Sequence, residues 1–108
     1  MKINFSVPVV NENFDEITGV TLFSVVKEML GRHTGGDLDF VFDILYDFKK
    51  AQENKTYIID LQPSQVDFIM GDLINKNQIH FSFIKAYIRK EIGNQKLLQK
   101  TESTNSKK

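Results

Sequence analysis

The chain has 108 residues, 41% of them hydrophobic and 26% charged, with formal net charge zero. That is the size of one ordinary domain and the composition of a folding chain rather than a disordered one. It has no cysteine, which excludes disulfides and thiolate metal sites, and no apolar run approaches the roughly 20 residues of a membrane span.

The first segment, Ile3 to Val10, alternates. Ile3, Phe5, Val7 and Val9 fall on one face and Asn4, Ser6 and Pro8 on the other, the pattern of a half-buried strand. Pro8 has no N–H for a ladder, so it suits an edge or a strand end. The stretch NENFDEITG is polar and turn-rich, a loop or the far arm of a hairpin. The N-terminal apolar stretch is too short for a signal peptide, so the expected location is the cytoplasm.

A first helix follows Thr21, whose hydroxyl can cap it; Leu22, Val25, Val26, Met29 and Leu30 recur at helical spacing. Gly31 is the expected stop. A second helix runs from about Leu38 to Ala51, with Asp37 as its expected cap. On it, Asp39, Asp43 and Asp47 fall within an arc of about 80° at 100° per residue, and nearly everything else on the first three turns is apolar. So apolar a helix is expected to be the central one, buried on all sides but the acidic strip, with only the flank around Phe40 left open.

Thr56 to Leu61 is rich in β-branched and aromatic residues and reads as a second strand. Pro63 suits the first position of a third helix, whose inner stripe is Val66, Ile69, Met70, Leu73 and Ile74; Phe68 falls outside it. A fourth helix covers about Ile79 to Ile92, with Phe81, Phe83, Ile84, Tyr87, Ile88 and Ile92 on one side and Lys85, Arg89 and Lys90 on the other. Gly93 is its expected end. The order is β-α-α-β-α-α: an α+β domain over residues 1–93, with a two-stranded ribbon packed on about four helices. Residues 94–108 read as a basic, polar, disordered tail.

No catalytic, metal or cofactor signature emerges. His33 and His80 are in no ligand spacing and read as unpaired surface groups. Asp39, Asp43 and Asp47 lie in line but lack the loop or cleft that cation binding or acid–base work requires, so they read as a solvated strip or a docking strip for a basic partner. Phe40 and Phe68, with Phe23, are candidate interface anchors, the alternative being that each tucks under a neighbouring segment. Charge is split: residues 1–47 carry three basic and eight acidic side chains, residues 48–108 eleven and six. Such polarity can orient a partner or a second copy. The helix pair 63–92 outlines a helix-turn-helix, with Lys85, Arg89 and Lys90 as candidate nucleic-acid contacts. The balanced charge makes that the alternative reading.

Taken together, INFSVPVV, GVTLFSVVKEML, TGGDLDFVFDILYDF and DLQPSQVDFIMGDLI resemble a group of small bacteriophage and prophage proteins. The matching positions are Phe5, Pro8, Thr21, Leu22, Asp37, Leu61, Asp67 and Ile69, across roughly residues 3–90; the short N-terminal loop and the Lys/Asn/Ser-rich tail depart from the pattern. The resemblance implies a phage or mobile-element accessory protein of the virion-assembly or host-takeover kind. The expectation is a non-catalytic protein without a cofactor that binds another protein, host or phage, or associates with itself.

Overall fold

The computed structural model describes residues 1–34, 36, 38–78, 80 and 82–106, with side chains as far as Gln99. Its elements are β1 (Lys2–Asn4), β2 (Pro8–Val10), β3 (Glu16–Thr21), α1 (Leu22–Arg32), α2 (Leu38–Asn54), β4 (Ile58–Asp60), α3 (Pro63–Phe68), a π turn (Ile69–Leu73), α4 (Ile74–Lys76) and α5 (Ser82–Ser106). The fold class is α+β, as the sequence pattern implies.

The alternating N-terminal segment is two strands, not one. Ser6 turns back on Asn4, whose side-chain oxygen accepts from both the Ser6 amide and its hydroxyl. β1 pairs antiparallel with β4, in the register Ile3 opposite Ile59. β2 pairs antiparallel with β3, with a shift between Pro8 and Val10. The expected ribbon is therefore β1–β4, and the polar stretch after Val10 supplies a second one. Its turn is built by Asn11, whose side-chain oxygen accepts the amides of Asn13 and Asp15. Phe14 holds φ of 64° there, the left-handed region that a bulky residue seldom adopts.

α1 is the most deeply set helix. Leu22, Phe23, Val25, Val26, Met29 and Leu30 are all buried. Thr21 caps it in a reciprocal box with Ser24. Gly31 lies inside the helix, which ends instead at Arg32 with His33 extended beyond it. The three segments α3, the π turn and α4 run on from one another. Ile69, Leu73 and Ile74 are buried, a four-then-one spacing that the wider π turn brings onto one side. Arg89 donates to the Met70 carbonyl at 3.2 Å and to Asn75 at 2.8 Å, tying α5 to this stretch.

The centre is aromatic. The Phe48 ring lies 4.8 Å from that of Phe5 and 5.1 Å from that of Phe23, which meets Tyr57 edge-on at 4.9 Å. Ile3, Val9, Leu61, Val66, Ile88 and Ile92 close the core around them.

α5 does not stop at Gly93. A β-carbon there would sit 3.4 Å from Met70 Cε, an ordinary contact with the end of a flexible side chain, so the position is simply helical. The domain boundary moves accordingly. Gln95 accepts the Asn4 amide and donates to the Asn4 carbonyl, while Gln99 donates to the Lys2 carbonyl. These glutamines satisfy the outer edge of β1, which would otherwise be open to strand pairing. Residues 94–99 thus belong to the domain rather than to a tail, and the helix extends to Ser106. Lys107 and Lys108, the expected cap Asp37, and Ile79 and Phe81, expected in the last helix, lie outside the described residues. No described helix is long and apolar enough to cross a membrane.

Candidate interaction face on the second helix

α2 is not the central helix. Only Ile44, Phe48 and Ala51 are buried on it. At 100° per residue those three centre about 150° from the mean direction of Leu38, Phe42 and Tyr46. These last three, spaced by four, therefore point away from the core. They are 78%, 65% and 49% exposed. The rings of Phe42 and Tyr46 lie nearly parallel, 6.5 Å apart and 10° between planes. The Lys50 ammonium sits 4.7 Å from the Tyr46 ring centre. The result is a flat apolar ridge that ends on a cation.

Beside this ridge run the carboxylates. Asp39 and Asp43 are exposed and Asp47 is half-buried at a shallow hollow shared with Ala51, Asn54 and Ile58. Asp39 and Asp43 line none of the described hollows. Among the described residues no group of three or more acids and histidines is placed to hold a metal ion.

The anchors expected from the sequence lie elsewhere. Phe40 and Phe68 are half-buried against each other, edge-to-face at 5.3 Å, and the His33 ring meets Phe68 edge-on at 5.1 Å. Each aromatic tucks under a neighbour. Phe23 is core. The Phe40 flank is thus covered, and the open surface is the ridge two residues along. The signal was in the sequence as a Leu38–Phe42–Tyr46 spacing, but the assumption of a central helix hid it.

The histidines are not bare surface groups. His80 is largely covered: its backbone N–H donates to the side-chain oxygen of Asn77 at 2.9 Å, and Nε2 lies 3.6 Å from Glu28. Of the candidate nucleic-acid contacts, Arg89 is spent on Met70 and Asn75, Lys85 lines the same hollow half-buried, and Lys90 is exposed. They do not make one free basic strip.

A cleft of about 560 Å³ opens between α1, the Ser6 bend and the end of α2. Phe23 and Tyr57 floor it. Its polar groups are engaged: Thr21 and Ser24 cap α1, and Lys27 donates to Gln52 at 2.8 Å. Comparison with family models, characterised proteins and solved structures finds no match for the chain.

Proposed function

We propose that this is a non-catalytic accessory protein of the phage or mobile-element type its sequence resembles, acting in the host cytoplasm by binding protein through the outward face of α2. In that setting it would serve as an assembly helper or as an inhibitor of a host complex. The observation that carries the reading is the exposure of Leu38, Phe42 and Tyr46 on the side of α2 away from the core. Three large apolar side chains in line on water, rimmed by Asp39 and Asp43, have the anatomy of an interface: an aromatic centre with a polar rim. Tyrosine, the type of Tyr46, is among the residues enriched as energetic anchors of interfaces.

Other features support binding over chemistry. Asp39 and Asp43 are exposed on the helix, where water screens them, and the Thr21 and Ser24 hydroxyls at the cleft are committed to the α1 cap. The test is differential capture from host and phage-infected lysates by immobilised wild type and by Phe42→Glu, after circular dichroism has shown both folded. The expected result is a partner held by the wild type and lost by the variant. Equal capture by the two would overturn the reading.

A further inference from the structure

The same ridge carries an inference about its occupant, one that rests on the reading of α2 as a docking surface. We propose that the α2 face pairs with the α2 face of a second copy, antiparallel, about a two-fold axis near Ile44. One charged pair along the helix, Asp39 with Lys49, is self-complementary in that arrangement. N-terminal to that axis stand Asp39 and Asp43, and C-terminal to it stand Asp47, Lys49, Lys50 and Glu53. Reversing the partner brings Asp39 of each helix beside Lys49 of the other. A two-fold interface must be complementary to itself in this way.

The register follows from the spacing. With the axis near Ile44, Phe42 meets Tyr46 of the second copy, and Tyr46 meets its Phe42. Asp39 comes opposite Lys49, and Leu38 lies along the stem of Lys50. Lys49 falls between Leu38 and Phe42 on the helix wheel, so it projects to the same side as the ridge. Its contact within the chain is an exposed one, 4.0 Å to Glu53, which is easily exchanged. The Phe42 and Tyr46 rings, parallel to each other, give each copy two aromatic groups to set against the same two of the other.

Size sets the strength. Leu38, Phe42 and Tyr46 together expose roughly 400 Å², so two copies would bury on the order of 800 Å² before the lysine stems are added. That lies below the standard interface of about 1,600 Å², so the dimer is a weak, concentration-dependent one. A reversible pair of this kind leaves the face available to a heterologous partner at low concentration.

The experiment is light scattering of the intact chain from micromolar to millimolar protein. The wild-type mass is expected to rise from 12.5 kDa toward twice that value. Phe42→Glu should stay at the monomer mass throughout. Asp39→Lys and Lys49→Glu should each move the midpoint to about tenfold higher concentration, because every substitution acts twice across the axis. The double variant Asp39→Lys/Lys49→Glu should restore the wild-type midpoint. A wild type that stays monomeric, or a double variant no better than the singles, overturns the two-fold pairing. A monomeric wild type that still loses a captured partner on Phe42→Glu also overturns it, while leaving the docking face of α2 in place.

Discussion

At the scale of single residues, neighbouring phenylalanines on α2 have opposite roles. Phe48 touches Phe5 and Phe23 at the centre of the molecule, whereas Phe42 is 65% exposed. Phe48→Ala leaves a cavity and should cost about 3–5 kcal/mol in chemical denaturation. Phe42→Ala should change stability by no more than about 0.5 kcal/mol, since its ring makes no core contact. Equal losses in the two variants would contradict the burial assignment. Tyr87 offers a titration with a defined sign. Burial, then the charges of Glu91 and Glu16, push its phenol above the ordinary value of 10.0, and its hydroxyl donates to the Pro8 carbonyl at 2.8 Å. The folded state thus holds the proton more tightly than the unfolded one. Its contribution is complete below about pH 10 and is lost as pH rises through the higher folded value. Denaturation midpoints followed above pH 10 should fall less steeply in Tyr87→Phe than in the wild type.

At the scale of elements, the local signals were the legible part. Thr21, Pro63, the alternation around Ile3 and the β-branched run around Ile59 state their roles in short-range chemistry, although the first of these strands is broken in two. What could not be read was which side of an apolar helix faces in. α2 is apolar on the core side and apolar again on the far side, so periodicity alone does not separate burial from display. Gly31 and Gly93 misled for a related reason. A glycine after an apolar stripe signals a stop, but here both lie inside helices that continue past them. The extension beyond Gly93 depends on contacts 91 residues apart in sequence, between Gln95 and Asn4, which no local pattern announces. Gln95→Ala should therefore cost about 1 kcal/mol and speed hydrogen exchange at the Asn4 amide. A chain ended after Gly93 should melt earlier than one that keeps Gln95 and Gln99. Unchanged exchange at Asn4 in Gln95→Ala would show that α5 does not cover that edge.

For the whole molecule, the strands, α1, the π turn and α5 close a core on one side of α2 and leave its other side in water. A domain of this size exposes much apolar area in any case, but scattered, not as three large side chains in line. The docking function rests on that asymmetry. The central claim is that the outward face of α2 is the surface this protein works through. A concentration series of ¹⁵N-resolved spectra, with aromatic side-chain resonances included, addresses it residue by residue. The prediction is that shifts grow with protein concentration at Leu38, Phe42, Tyr46, Lys49 and Lys50, while Phe40 and Phe68 stay still. Shifts confined instead to the cleft around Phe23 and Tyr57, or to Lys85 and Lys90 on α5, would contradict it.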